Sequence, residues 1–278
     1  MEKLARSQTV NSQRGQAALI ILAVMAIGMS IAFSLSRQIT TDVEISQKET
    51  ESAKAFSAAE AGIEEALRQL AQGQTSVTLN PNELGVDEVE VQIQDQGNQA
   101  TFLYPLEVRP GEIAIIWLRN HTPDGQLDLN NGYNRTSIKA CWQSSAALEA
   151  IYFYRTASDY QIRRWAFDPN ATRASSNNFS TTIGGCSEID GLNLGVTLDL
   201  SDGTPLFLVL RPFYQSTKVG AVAETGSNLP PQGYLITSAG AVNRGETKIA
   251  RKIMVFQGWP VPEDSILQAI WAADYQAN

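Results

Sequence analysis

The sequence has a single histidine, two cysteines and no proline before Pro81. Each scarcity excludes something. With His121 as the sole imidazole, a zinc site built from several histidines is impossible. Cys141 and Cys186 stand 45 residues apart, too far for a CxxC metal or redox motif. The chain also lacks GxSxG, HExxH, a phosphate-binding P-loop and any GxGxxG ahead of a helix. Its scattered carboxylates fall into no spacing that places two together. No catalytic residue is therefore assigned, no cofactor is expected, and the expectation is a protein that is not an enzyme. His121, within Asn120-His121-Thr122-Pro123-Asp124-Gly125, reads as a turn or loop residue.

Charge is sparse as well. Charged residues make up 18%, below the usual quarter, and the formal net charge is −8. An acidic surface repels phosphate backbones, so nucleic acid is not an expected partner. No charge at all occurs between Arg14 and Arg37. Within that stretch, residues 17–36 carry Ala17, Leu19, Ile20, Ile21, Leu22, Val24, Ile27, Ile31, Phe33 and Leu35. A helix of about 20 residues spans about 30 Å, the thickness of bilayer hydrocarbon, so membrane lipid is an expected partner. Ser30, Ser34 and Ser36 can bond back to the helix and do not spoil it.

Ahead of it, Lys3, Arg6 and Arg14 stand against Glu2. A basic start keeps the N-terminus in the cytoplasm and sends the remainder outside, giving a single-pass protein of the cytoplasmic membrane. A secretory signal peptide would have a shorter apolar core and end in a cleavage loop, whereas here the helical pattern goes on.

From 37 to 72 there is neither proline nor a turn cluster. Apolar residues recur at three- and four-residue spacing through Phe56, Ala59, Ile63, Leu67 and Leu70, opposite Glu49, Lys54, Glu60, Glu64 and Arg68. Gly73 offers a C-terminal cap. One helix over 16–73, about 85 Å long, is the expectation, with its apolar stripe laid on the head.

Beyond 73 the texture changes to short β-rich runs between turn residues, at 89–93, 113–118, 138–142, 148–154, 161–167, 196–200, 206–210, 234–237 and 248–256. The fold class is thus α+β: a long N-terminal transmembrane and amphipathic helix, then an all-β, sandwich-like head over 74–278. Thr156-Ala157-Ser158-Asp159 reads as a hairpin link, and 168–185 as a long surface loop. Asp124, Asp128, Asn130 and Asn131 form an oxygen-rich stretch that admits calcium, but Gly132 falls where an EF-hand ligand should be, and turn chemistry explains the composition without a metal. Trp142, Tyr152, Tyr154, Tyr160 and Trp165 admit core packing or a surface stacking strip. Cys141 and Cys186 admit two readings: separate buried thiols, or a disulfide, which export to an oxidising compartment favours.

Arg14-Gly15 followed by the helix beginning Gln16-Ala17-Ala18-Leu19-Ile20 resembles the type III signal of type IV pilin-like proteins, and Ala55-Phe56-Ser57-Ala58-Ala59-Glu60-Ala61-Gly62-Ile63 resembles a segment of minor pilins of the PilX type. The resemblance covers about residues 10 to 70. It implies a basic leader over 1–15, cleavage between Gly15 and Gln16 by a prepilin peptidase, and partnership with other pilin-like subunits and a pilus or secretion assembly machine. The chain departs from the pattern in three ways. Its mature first residue would be Gln16 rather than an apolar one, its fifth would be Ile20 rather than Glu, and its head is large. The missing Glu suits a minor or tip subunit. A pseudopilin-like component of a secretion machine and a permanently anchored adhesin are the alternatives.

Overall fold

The computed structural model describes residues 13–122, 125–143, 145–245 and 247–260, with side chains from Leu19 onward. Residues 1–12 of the expected leader lie outside these. Gly15, Gln16 and Ala17 fall on described helical backbone.

Helix α1 runs without a break over Gln13–Leu70, 58 residues and about 87 Å. Nothing in this span interrupts it, since proline is absent and hydroxyls along it bond back to the helix. The Ser30 hydroxyl donates to the Ala26 carbonyl at 2.9 Å, and Thr40 to Ser36 at 2.7 Å. The helix stops at Gly73, which takes φ +74°. There the Gly73 amide donates to the Leu70 carbonyl and the Gln74 amide to Gln69, each at 2.9 Å. Only glycine adopts this left-handed conformation without steric cost, so the expected cap is the one used.

Fourteen strands follow among the described residues. They are β1 (Glu88–Gln96), β2 (Thr101–Leu103), β3 (Ala114–Trp117), β4 (Arg119–His121), β5 (Leu127–Gly132), β6 (Ser137–Trp142), β7 (Ala147–Arg155), β8 (Tyr160–Phe167), β9 (Gly184–Gly185), β10 (Leu194–Asp199), β11 (Thr204–Phe213), β12 (Val219–Ala223), β13 (Gly233–Arg244) and β14 (Thr247–Gly258). Every pairing between strands is antiparallel. A five-stranded sheet, β2-β12-β6-β10-β9, faces a four-stranded one, β3-β11-β7-β8. Between them lies the largest core, with Ile116, Trp142, Leu148, Tyr152, Leu198 and Leu208 wholly or almost wholly buried. The polar tips of its aromatic rings are satisfied: Trp142 Nε1 donates to Ala146 O at 3.0 Å, and Tyr152 OH to Leu200 O at 3.1 Å. Of the five aromatics read from the sequence, Trp142 and Tyr152 are core, Tyr154 and Trp165 pack at its margin, and Tyr160 is exposed.

The third sheet, β1-β13-β14, is separate from this sandwich and carries α1. Among the contacts that join it to the sandwich, two stand out. Phe256 of β14 packs against Phe102 and Tyr104. Buried Gln232 accepts from the Trp117 amide and donates to the Trp117 carbonyl, both at 2.8 Å. Strand β3 is the edge of its sheet, so one side-chain amide supplies the partner that a neighbouring strand would have given.

The helix stripe lies on the head's three-stranded sheet. Two readings of the head change. Region 168–185 is more than a loop: it holds the short helix α2 (Ala171–Asn177), capped by the Asn170 side chain and held by buried Asp168, which accepts from Arg173 and Asn177. His121 is a strand residue, packed edge-on to Trp117 and stacked on Trp259.

Candidate functional site: the helix and its seam with the head

Along α1 three stretches differ in what surrounds them. From Leu19 to Leu35 the large apolar side chains Leu19, Ile20, Ile21, Leu22, Val24, Ile27, Ile31, Phe33 and Leu35 are all 54–69% exposed. The head covers none of them, and this stretch of helix is long and apolar enough to cross a membrane. An uncovered apolar surface of this size marks a contact face for a membrane or another protein. Next comes a polar stretch from Arg37, where Lys48 bridges Glu44 at 2.8 Å. The hydrogen bond from Lys48, and its charge, hold the Glu44 carboxyl below its usual range. Ile39 and Val43 are exposed here as well.

The third stretch is fastened to the head. Ala55, Ala58, Ala59, Gly62, Ile63 and Ala66 are buried against the three-stranded sheet. The seam is built from small residues because the backbones nearly touch. A β-carbon on Gly240 of β13 would lie 2.3 Å from the Ala55 carbonyl oxygen. Polar contacts flank the seam. Arg244, at the β13–β14 turn, bonds Gln47 and lies 3.8 Å from Glu51, while Arg251 Nε donates to the Ser52 hydroxyl at 2.8 Å. The hairpin thus grips the helix one to two turns ahead of the seam.

The sequence stripe and the structural one overlap but differ. Ala59 and Ile63 are buried, and Leu67 and Leu70 pack at the edge of the cluster around Ile236. Phe56 does not join them and is 45% exposed. Successive residues turn by about 100° around a helix, so burying Ala55 and Ala59 swings Phe56 out. The close approach at Gly240 leaves room for a methyl group and not for a ring. The Ala-Ala-Glu-Ala-Gly segment is therefore an interface of small side chains. Gly62, Ser238, Gly240 and Arg244 were not among the expected packing residues. The density of alanine and glycine over 55–66 was the available signal.

Cys141 and Cys186 form a disulfide, with Cα atoms 5.9 Å apart. It ties the turn around Ile189 and Leu192 to the outer face of the five-stranded sheet. Those two side chains rest over Gly220, where a β-carbon would meet the Ile189 Cδ1 at 2.8 Å.

Around His121 the ring lies between Trp117 and Trp259, with centroids 4.5 and 4.6 Å away. Burial pushes its pKa down to about 4. In the oxygen-rich stretch, Asp128 accepts from the Asn130 amide at 2.9 Å and from Asn131 Nδ2 at 2.7 Å, an internally bonded turn. Asp124 lies outside the described residues. No group of three or more metal-ligating side chains occurs among the described residues.

Comparison with protein-family models, with curated proteins and with solved structures finds no match.

Proposed function

We propose that this chain is a minor subunit of the type IV pilin-like class. It is anchored in the cytoplasmic membrane by residues 17–36 and trimmed between Gly15 and Gln16 by a prepilin peptidase. An assembly machine then draws it, with other pilin-like subunits, into a filament that displays the β-rich head at the cell surface. The observation that carries this reading is the continuity of α1. One unbroken helix is apolar and uncovered over its first part, and locked to the head over its last. With no hinge between the two parts, a pull on the anchor moves the head with it. The uncovered face is suited first to lipid and then to the helices of neighbouring subunits.

Ile20 sets the proposed place in the filament. Once the helix leaves the membrane, the new N-terminal amine sits in a low-dielectric bundle, where an unpaired charge costs on the order of several kcal/mol. A carboxylate at position 20 would offset that cost, and Ile20 does not. The subunit is therefore scarce within a filament or confined to its tip. Quantifying the protein in purified surface filaments tests this. Substoichiometric presence supports the reading, and recovery as the bulk subunit contradicts it. Complete retention in the membrane returns the chain to a permanently anchored binding module.

A further inference from the structure

We propose that the depression beside the end of α1 is the docking site of the chain's own C-terminal segment, residues 261–278. The depression holds about 650 Å³ and is lined by Leu67, Leu70 and Ala71 of the helix end, Tyr234 of β13, and Trp259 and Pro260 beyond β14. Leu67 and Leu70 are only half-covered there, and both belong to the cluster that joins helix to sheet. The open side of that cluster is thus an apolar margin awaiting a cover.

The chain itself leads into this place. Trp259 is fixed by its stack on His121 and by Nε1 donating to the Pro231 carbonyl at 3.1 Å. Pro260, the next residue and the last described one, is part of the depression's wall. Eighteen residues follow, as Val-Pro-Glu-Asp-Ser-Ile-Leu-Gln-Ala-Ile-Trp-Ala-Ala-Asp-Tyr-Gln-Ala-Asn. Asp264 and Ser265 are helix-starting residue types. Ile266, Leu267, Ile270 and Trp271 come next at spacings of one, three and one, the pattern of a single apolar helix face. At about 1.5 Å per residue, the two turns that carry these four span about 10 Å, enough to cover Leu67, Leu70 and Tyr234.

The tether decides between occupants. A segment rooted in the wall of its own groove meets that groove at an effective concentration in the millimolar range. A second copy of the chain at micromolar concentration competes from roughly a thousandfold below. The inference stands apart from the filament reading, since it concerns the single chain whether or not it assembles.

Hydrogen exchange on the full chain in detergent tests it. The amides to follow are Ala71, Gly73 and Gln74, whose bonds to Leu67, Leu70 and Gln69 close the helix end. Two variants are compared: a chain ending at Pro260, and the full chain with Ile270→Asp and Trp271→Asp together. Should the shortened chain fail to fold, the double substitution carries the test alone. The expected result is exchange at least tenfold faster at these amides in both variants, with β6, β7 and β11 unchanged. Equal rates would overturn the proposal. So would protection that fades on dilution, which points to a second copy. Protection seen only with phosphatidylglycerol vesicles would make lipid the occupant and overturn it equally.

Discussion

Gly62 of the helix faces Ser238 of β13 so closely that a β-carbon on the glycine would stand 2.1 Å from the serine hydroxyl oxygen. Helix propensity and seam packing therefore make opposite predictions for Gly62→Ala. By propensity alone, alanine in a helix interior stabilises by about 1 kcal/mol. Overpacking a well-filled interface costs about 1–3 kcal/mol, and the Val91 methyl at 2.8 Å from the same point leaves little room to shift. The net expectation is destabilisation in a urea melt. Adding Ser238→Gly should recover much of the loss, because it removes the nearest clashing atom. A more stable Gly62→Ala protein would mean that the helix does not sit on the sheet at this distance.

The Cys141–Cys186 disulfide closes a loop between residues 45 apart in sequence. The chain-entropy model gives about 3–4 kcal/mol for such a closure. Replacing both cysteines by alanine should lower the unfolding free energy by roughly that amount. Local exchange should rise first over 186–193, the segment the bond holds on Gly220 and the five-stranded sheet. Unchanged stability with free thiols in the native protein would return the pair to ordinary core residues.

His121 gives the head a pH dependence with a definite sign. Its folded pKa is depressed to about 4 from an ordinary 6.5, so between these values the unfolded chain binds more protons than the folded one. Stability from this group is complete above about pH 6.5 and is lost as pH falls towards 4. With a discount for partial exposure, the loss is of order 2 kcal/mol. His121→Phe keeps an aromatic ring between Trp117 and Trp259 and cannot titrate. Its stability should be flatter than that of the natural protein over this range. Parallel curves would show that the imidazole is not buried in solution.

Much of this architecture was legible in the sequence because its signals are local. The charge-free run and the absence of proline announce α1. Alternating β-rich runs mark nine strands, and all nine are present, although β13 runs to Arg244, seven residues past its expected end. Five strands were not legible: β5 carries Asn130-Asn131-Gly132, which reads as a turn, and the other four are short or weak. β2 and β4 have only three residues each, and Gly184–Gly185 is a two-residue bridge without strand character. Val219–Ala223 is short and contains a glycine, which weakens a strand pattern. The division into a sandwich and a separate helix-bearing sheet depends on which strands pair, and residues far apart decide that, such as Glu88 opposite Ala241. Phe56 was misplaced because period alone gives a stripe and not its width. Only the close approach at Gly240 shows that the buried side belongs to alanine and glycine.

The most direct test of the account is the mass of the N-terminal peptide of the native protein recovered from membranes. The account predicts a chain that starts at Gln16, with the whole apolar helix retained. Gly15→Val should block that processing by crowding the peptidase pocket. A native chain that keeps Met1, or one that starts beyond Ser36, would contradict it and leave an ordinary anchor or a removed signal peptide in its place.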